Sequence, residues 1–238
     1  MNHWTTKNGF RITQILAGRS NAFLVTHGDQ LILVDTGIKS AFPELVKNIR
    51  SLDFQPEDIA TLVLTHTHYD HCHSANQIKN ISNCRIVVSS AAATSIKNGY
   101  TEIPRGTNGL TKVIAGLGRM AGKRFFGYES FKPDVLISCE IPTQIAEDRI
   151  YLLPTPGHSS DSVSMIVDNE IAIVGDAIFG IFKNKVMPPF ADDKTALVAS
   201  WGKLLKTGCQ IFLPGHGQPA DRSDLQNAFH IYTSKISG

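Results

Sequence analysis

Four residues that can each bind a metal ion lie within one short segment of the chain. The segment reads His66-Thr67-His68-Tyr69-Asp70-His71 and directly follows an apolar run and Thr65. His66 and His68 are two positions apart, so in an extended chain their side chains point the same way, and a turn is needed to bring Asp70 and His71 into play. The segment can therefore present two pairs of ligands in two directions, as two neighbouring metal ions require.

Three further candidate ligands stand where later apolar runs end. His158 and His216 each follow a Pro-Gly pair, and Asp176 follows Val174-Gly175. Proline cannot extend a central strand ladder and glycine relaxes the backbone, so both histidines should lie exposed at a sheet edge. Asp176 ends a third buried strand. Each motif alone is usually an ordinary turn or cap. Their joint occurrence with the histidine-rich segment favours a metal site.

The seven candidates divide into two sets of three with one shared carboxylate. We expect one ion on His66, His68 and His158, a second ion on Asp70, His71 and His216, and Asp176 as the bridge. Three unshared ligands leave an open position on each ion, which is typical of catalytic rather than structural sites. An imidazole-rich set suits two zinc ions, and iron, manganese and nickel also accept these ligands.

Such a site indicates hydrolysis. A hydroxide that bridges two cations is nucleophilic near neutral pH because each cation lowers the pKa of bound water. The cations also polarise the electrophile and stabilise the developing oxyanion. Asp70 is the expected catalytic residue because its carboxylate can orient the hydroxide. The sequence thus predicts a metal-dependent hydrolase of a small ester, thioester, lactone or phosphodiester.

Composition narrows the class of protein. The 238 residues are 42% hydrophobic and 18% charged, without a linker or low-complexity tract, so we expect one globular domain over residues 1–238. No apolar run approaches the roughly 20 residues that span a bilayer, and the start does not read as a signal peptide, which predicts a cytoplasmic protein. The net charge of +2 gives no sign of the strongly basic surface that nucleic-acid binding requires. The expected partner is a small-molecule substrate, with neither nucleic acid nor membrane.

Glycine and basic residues are concentrated between residues 91 and 133. From Lys97 to Lys132 there are seven basic and two acidic residues, so the rest of the chain is net negative. We expect a mobile lid or cap without regular structure here, because long Gly-rich insertions are often functional. Lys123 and Arg124 are the expected contacts for an anionic part of the substrate. An anionic surface as partner, or simply solvated charges on an exposed insertion, would produce the same pattern.

The elements that must position these residues follow from the hydrophobic periodicity. Strands are expected over residues 10–16, 22–26, 30–34, 59–64, 85–88, 150–153, 162–167, 171–174 and 210–213. Helices are expected around residues 42–49, 74–81, 197–205 and 225–236, and Gly208 should close the third of them at its C′ position. A loop over residues 178–190, rich in Phe and Pro and including Phe179, should form one wall of the pocket.

The cysteines point away from disulfides and from a thiolate metal site. Cys72, Cys84, Cys139 and Cys209 are scattered and form no Cys-x-x-Cys pair, so we expect reduced, structural thiols. Cys72 follows His71 and is the one cysteine that could approach a metal ion, but a packed side chain is its expected role.

Taken together, these motifs resemble the metallo-β-lactamase superfamily. The resemblance rests on the 65–71 segment, on His158, Asp176 and His216 in their turns, and on Asp35 in Val-Asp-Thr-Gly. It implies an α/β fold with four αββα layers, in which two mixed β-sheets pack face to face between outer helices and the metal site lies at one edge. It also implies that Asp35 is a structural aspartate beside the site and not a ligand.

The resemblance constrains the site more than the substrate, because the superfamily includes many chemistries. β-Lactamases of this fold generally lack an aspartate at the position of Asp176, which argues against antibiotic hydrolysis. Quorum-signal lactonases have a tyrosine where Phe179 stands, which argues against that specific role. Two alternatives stay open: a mononuclear iron oxidoreductase resembling persulfide dioxygenases, with ligands from the 66–68 region, His158 and Asp176, and a non-catalytic metal-binding protein.

Overall fold

A computed structural model of the chain describes residues 1–146, 149–182 and 185–237. The strands are β1 His3–Thr5, β2 Arg11–Leu16, β3 Ala22–His27, β4 Gln30–Val34, β5 Thr61–Val63, β6 Arg85–Ser89, β7 Val135–Ile137, β8 Thr143–Ala146, β9 Ile150–Pro154, β10 Val163–Val167, β11 Ile171–Gly175, β12 Ile211–Pro214 and β13 Ala220–Asp221. The helices are α1 Phe42–Arg50, α2 Tyr69–Cys72, α3 Ala75–Ser82, α4 Ala93–Asn98, α5 Gly109–Phe126, α6 Lys194–Lys206 and α7 Arg222–Ser237. Among the described residues, no helix has the length and apolar character needed to cross a bilayer.

The strands form two mixed sheets. The first has the order β1-β2-β3-β4-β5-β6-β7 and the second the order β13-β12-β11-β10-β9-β8. In the first sheet, β1 to β4 pair antiparallel and β4 to β7 pair parallel. In the second sheet, β11 and β12 are parallel and the other pairs are antiparallel. Strands from both sheets therefore direct their carboxyl ends toward one edge.

Three hydrophobic layers hold the sheets and helices together. On β3, Leu24 packs in a cluster with Leu45 of α1 and Ile78 of α3, whereas Phe23 belongs to the cluster between the two sheets. Trp201 of α6 lies in a third cluster against the second sheet. Because the central strands are buried on both faces, they read as continuous apolar runs rather than as alternating ones. The layer order is helix, sheet, sheet, helix, and the predicted αββα fold is confirmed.

The four strands that the hydrophobic pattern did not predict are the edge strands. β1 and β7 bound the first sheet, and β8 and β13 bound the second. Edge strands are short and are covered on fewer sides, so they carry a weaker apolar signal. The predicted strands are all present, although β5 covers only Thr61–Val63 of the expected 59–64.

The basic segment differs from the irregular structure that we expected. It contains α4 and the 18-residue helix α5. At the start of α5, the Asn108 side chain accepts from the Thr111 N–H at 3.0 Å, and the Thr111 hydroxyl accepts from the Asn108 N–H at 3.1 Å. This reciprocal capping box offsets the cost of the glycines in the helix. Gly122, with φ 52° and ψ −149°, kinks the helix near its end. The lid role stays a prediction.

The end of α6 is also different from the prediction. Its C-cap is Thr207 in an extended conformation, with φ −75° and ψ 167°, so no left-handed glycine closes the helix. Arg222 instead binds the free carbonyl groups, with Nη1 at 3.1 Å from the Thr207 oxygen and Nη2 at 2.5 Å from the Leu205 oxygen. Gly208 is needed for another reason, because a Cβ there would lie 2.6 Å from the Asn169 carbonyl oxygen.

Candidate metal centre

The candidate ligands meet where strands of both sheets end. In the first sheet, β4 ends before Asp35 and the parallel strand β5 ends just before His66. In the second sheet, β9, β11 and β12 end shortly before His158, Asp176 and His216, respectively. Parallel strands place their carboxyl ends side by side. Residues that are distant in the sequence are therefore neighbours at this edge.

Two glycines allow the turns that deliver His158 and His216. Gly157 has φ +138°, and a Cβ there would lie 2.3 Å from the backbone nitrogen of Leu197. At Gly215, a Cβ would lie 2.3 Å from Oδ1 of Asp176. Only glycine fits such close approaches, which explains why both Pro-Gly-His motifs need their glycine.

The first group of ligands consists of His66, His68 and His158. One ligand atom from each lies within 4.8 Å of the others, and all three side chains are buried. The prediction that His158 lies exposed is therefore wrong: it stands at the sheet edge, but its ring is enclosed by His68, Asp176 and the Phe190 carbonyl. Nδ1 of His68 lies 2.9 Å from Nε2 of His158. Two lone pairs that face each other at this distance repel unless a proton or a cation lies between them.

The second group consists of Asp70, His71 and His216. Their ligand atoms also lie within 4.8 Å of one another. Nε2 of His216 is 3.3 Å from Nε2 of His71 and 3.6 Å from Oδ2 of Asp70. His71 is fully buried, whereas Asp70 and His216 border a cavity. The structure thus brings together the same two sets of residues that the sequence suggested.

Asp176 lies between the two groups. Its Oδ1 is 3.4 Å from Nε2 of His71, and its Oδ2 is 3.4 Å from Nε2 of both His158 and His216. Asp176 also forms a third candidate group with His66 and His71. One carboxylate therefore faces ligands of both groups, as a bridging ligand must.

Backbone carbonyls fix the orientation of two of the imidazoles. Nδ1 of His158 lies 2.9 Å from the Phe190 oxygen, and Nε2 of His68 lies 3.1 Å from the Glu102 oxygen. A carbonyl only accepts hydrogen bonds, so these nitrogens carry the hydrogen and donate it. The opposite nitrogen of each ring then offers its lone pair to the site, an arrangement common among metal-bound histidines.

Asp35 orients a histidine in each group. Its Oδ2 lies 2.8 Å from Nδ1 of His71, and its carboxylate accepts from the Thr65 N–H at 2.8 Å and from the Thr65 hydroxyl at 2.7 Å. Because that hydroxyl donates to Asp35, it accepts from Nδ1 of His66 at 3.1 Å. Nε2 of His66 is then free to bind a metal ion. This placement is what the resemblance implies for a structural aspartate.

Two buried ligand atoms test whether metal ions fit this site. Within the described ranges, Nε2 of His66 and Oδ1 of Asp176 have no hydrogen-bond partner. Buried polar atoms are almost always satisfied, and both residues belong to one candidate metal group. Imidazole and carboxylate together form a suitable donor set for divalent ions of the first transition series and zinc. The residues therefore fit a metal centre.

The electrostatics of the cluster set three of the ligands, His66, His158 and Asp176, in the state that metal binding needs. Burial lowers the pKa of His66 well below its ordinary value and lowers the pKa of His158 to about 4, so both are neutral at pH 7. Burial alone would raise the pKa of Asp176, but the surrounding imidazoles outweigh burial and hold that pKa well below its usual range. For His71, burial lowers the pKa but the Asp176 and Asp35 carboxylates raise it to about 10. Metal binding at His71 therefore displaces a proton.

A cavity of about 580 Å³ opens onto these ligands. His68, Asp70, His158, Asp176 and His216 line one part of it. Its remaining wall is mostly apolar and includes Ile103, Ile114, Leu117, Phe126, Phe179 and Phe190. The Phe179 ring stacks on His216 with 4.6 Å between ring centroids. Phe179 thus lies in the wall, as predicted; residues 183 and 184 of its loop lie outside the described ranges.

The cations predicted to meet the substrate lie elsewhere. Lys123 and Arg124 are exposed and are not among the described residues that line the cavity. Among the described residues, the cation in the wall is Arg19, whose guanidinium donates to the Tyr69 hydroxyl and lies 5.7 Å from the centre of that ring. Sequence reasoning missed Arg19 because it stands in a loop with no motif around it.

Cys72 packs as expected. It is buried among the residues between α3 and the first sheet, and its Sγ donates to the Thr67 carbonyl at 3.4 Å. Burial raises the pKa of its thiol well above the ordinary value. In the part of the chain that the structure describes, the groups placed to hold a metal ion do not include it.

The sequence model of the metallo-β-lactamase superfamily matches residues 15–216. This chain belongs to that superfamily. A relative named "Probable metallo-hydrolase" from Methanocaldococcus jannaschii is 26% identical over 208 residues, which cover 85% of this chain and 90% of the relative. Another relative of that name, from Streptococcus pyogenes serotype M6, is 27% identical over 165 residues, which cover 69% of this chain and 63% of the relative.

Solved structures of the superfamily share this fold. A metallo-β-lactamase of Cronobacter sakazakii aligns with a TM-score of 0.70 at 16% identity, over 100% of this chain and 93% of that chain. A metallo-β-lactamase family protein of Thermus thermophilus aligns with a TM-score of 0.68 at 18% identity, over 95% and 80% of the two chains. Identities this low show a common fold and leave the substrate to be argued from the site.

Proposed function

We propose that this superfamily member is a dinuclear metal-dependent hydrolase of a small ester, thioester, lactone or phosphodiester. The observation that carries the proposal is the pair of three-ligand groups that lie on either side of Asp176 beside one cavity. A mononuclear or purely structural site would need fewer ligands and would gain nothing from a cavity next to them.

Zinc is the proposed metal because the ligands are mainly imidazoles. One ion would be held by His66, His68 and His158, the other by Asp70, His71 and His216, with Asp176 shared. Such ions supply Lewis-acid polarisation of the substrate and lower the pKa of a water molecule.

The side chains around the ligands would bind and orient the reactants. Asp70 lines the cavity and is the proposed catalytic residue, because its carboxylate can accept a hydrogen bond from the attacking water and hold its proton. The apolar wall excludes bulk water, which strengthens electrostatic interactions in the site. Arg19 replaces Lys123 and Arg124 as the proposed contact for an anionic group of the substrate.

The test is a hydrolysis screen with the metal-loaded full chain. The substrates are an aryl acetate, an aryl thioester, a γ-lactone and a bis-aryl phosphodiester, and we expect turnover of at least one class. His66→Ala and Asp176→Asn should each lower kcat/KM by more than about 100-fold, since each removes a metal ligand. His3→Ala, at an exposed histidine of β1, is the matched control and should retain activity.

Three outcomes would reject the proposal. Hydrolysis that survives both His66→Ala and Asp176→Asn would show that the metal centre is not the site of reaction. One iron per chain, together with oxygen uptake in the presence of a thiol persulfide, would instead identify a mononuclear iron oxidoreductase. No activity in any assay combined with tight metal binding would favour a metal-binding scaffold.

A further inference from the structure

Helix α5 exposes most of its large apolar side chains. Leu110, Val113, Leu117 and Met120 are 63% to 86% exposed. The buried residues of the helix are the small Thr111 and Ala115. A surface helix normally buries its large apolar residues and exposes its polar ones. The orientation of α5 is the reverse of this rule and calls for a physical reason.

Close packing fixes this orientation. A Cβ at Gly118 of α5 would lie 2.7 Å from Cδ1 of Ile103, so the middle of the helix packs closely on Ile103 at a residue without a side chain. Nε of Arg119 donates to the Ile103 carbonyl at 2.7 Å and pairs with Glu102 at 3.2 Å. Together with the Asn108 cap, these contacts hold the small face inward and leave the apolar face outward.

The exposed apolar residues form one continuous stripe. At about 100° per residue, Leu110, Val113, Ile114, Leu117 and Met120 span an arc of roughly 120° and a length of about 15 Å. Phe125, beyond the kink at Gly122, is 68% exposed and lies in the last turn of the same helix. Contiguous exposed apolar surface of this kind marks an interaction site.

The residues beside the stripe are basic. Lys112, Lys123 and Arg124 are exposed and form no ion pair among the described residues, and α5 contains no acidic residue. An apolar stripe bordered by unpaired Lys and Arg is typical of helices that lie in the plane of a bilayer interface. Anionic headgroups attract such cations.

The same charges argue against a second copy of this chain as the occupant. In a symmetric dimer the same patch meets itself, so Lys112, Lys123 and Arg124 of one copy would approach those of the other. Like charges at such a contact repel. An anionic lipid surface complements the patch, whereas an identical patch does not.

We propose that α5 docks this protein onto an anionic lipid bilayer, with its apolar stripe at the boundary between headgroups and acyl chains. Ile114 and Leu117 of the stripe also line the cavity, so docking would bring the cavity mouth to the lipid. The expectation of no membrane partner rested on the lack of a spanning segment, a criterion that does not apply to a helix lying on the surface. The docking does not depend on the proposed hydrolysis.

The test is co-sedimentation of the full chain with lipid vesicles. We expect binding to phosphatidylcholine vesicles that contain phosphatidylglycerol to be about tenfold tighter than binding to pure phosphatidylcholine, and to weaken as salt is added. The double variant Val113→Ser/Met120→Ser, outside the cavity lining, should bind the mixed vesicles about tenfold more weakly. Ile231→Ser, at an exposed isoleucine of α7, is the matched control and should bind like the wild type.

Three results would overturn the proposal that α5 docks on lipid. Failure of the wild type to bind mixed vesicles, or equal binding by the double variant with a native circular dichroism spectrum, would show that the stripe does not meet lipid. Sedimentation velocity supplies an independent readout. A wild-type dimer that becomes a monomer in the double variant would assign the face to a second copy instead.

The role of charge has a separate test. Lys112→Gln should weaken binding to mixed vesicles only, and an equal loss on both vesicle types would contradict the role of charge.

Discussion

At the scale of single residues, Asp35 links the two groups of metal ligands and fixes the orientation of one histidine in each. Its carboxylate binds His71 directly and reaches His66 through the Thr65 hydroxyl. Asp35 itself has φ 60°, a left-handed conformation that aspartate and asparagine tolerate better than most residues. A substitution that keeps this backbone but removes one acceptor oxygen therefore isolates its role in orienting the ligands.

We predict that Asp35→Asn lowers metal affinity by about 10- to 100-fold without unfolding the protein, because supporting residues of metal-bound histidines contribute on this scale. Competition with a chromogenic chelator measures the affinity. Asp29→Asn, in the exposed turn between β3 and β4, is the control. Unchanged affinity in Asp35→Asn would show that its hydrogen bonds do not support the ligands.

The ligands could be predicted from the sequence, and the groups that orient them could not. His158 and His216 each follow an apolar run and a Pro-Gly pair, and this pattern can be recognised without knowledge of the fold. The carbonyls of Phe190 and Glu102, which fix two imidazoles, carry no residue signature, because every residue has a carbonyl. Their roles depend on tertiary packing alone.

At the scale of elements, the turn after β9 determines where His158 lies. Gly157→Ala should lower the free energy of unfolding by about 1–3 kcal/mol, because alanine at a φ of +138° is strained. The added Cβ would also press on the Leu197 backbone at the start of α6. Urea denaturation measures the loss, and a chelator titration should show weaker metal binding.

Gly116→Ala is the matched control for that prediction. Gly116 is exposed within α5, and an added Cβ there meets no atom within 4 Å. Alanine is a better helix former, so we expect this variant to be more stable by about 0.5–1 kcal/mol. If both substitutions had the same effect, the loss at Gly157 could not be assigned to the turn.

Among the strands, those buried on both sides were the ones that the sequence could predict. The central strands, such as β4 and β11, have apolar residues on both faces and were expected within one residue of their ends. Edge strands lack such burial, and α5 was missed because its glycines and its outward apolar face hide the usual helical pattern. In α5, contacts with the rest of the fold outweigh the low helix propensity of its glycines.

At the scale of the whole molecule, a buried carboxylate joins the two sheets. Asp168, in the turn between β10 and β11, accepts from Nδ2 of Asn8 at 2.7 Å and from Nη1 of Arg149 at 2.8 Å. Asn8 lies in the turn between β1 and β2 of the other sheet. Burial alone would raise the pKa of Asp168, but the hydrogen bonds from Asn8 and Arg149 outweigh burial and lower it.

A lowered pKa makes this contact dependent on pH. The stability from Asp168 is present above the unfolded pKa of about 4 and is lost as the pH falls through the lower folded pKa. Asp168→Asn should therefore lower the free energy of unfolding by about 1.5–3 kcal/mol at pH 7, and the difference should shrink in acid. Urea denaturation of both proteins over a pH series measures it. A difference that stays constant with pH would contradict the assignment.

The arrangement of the two sheets came from the resemblance, not from the hydrophobic pattern. Periodicity predicts that strands exist, but which strands pair depends on contacts between distant residues. The bond from the Val163 N–H to the Thr65 carbonyl, at 2.8 Å, links the two sheets beside the metal centre and has no local signal. The motif as a whole, matched over residues 15–216, carries that information.

The number of metal ions per chain tests the central claim most directly. Native mass spectrometry or elemental analysis of the zinc-loaded protein should give two ions for the wild type. His158→Ala and His216→Ala each remove a ligand from one group, so each should retain one ion. A wild-type protein with a single ion, or a variant that still holds two, would contradict the dinuclear site.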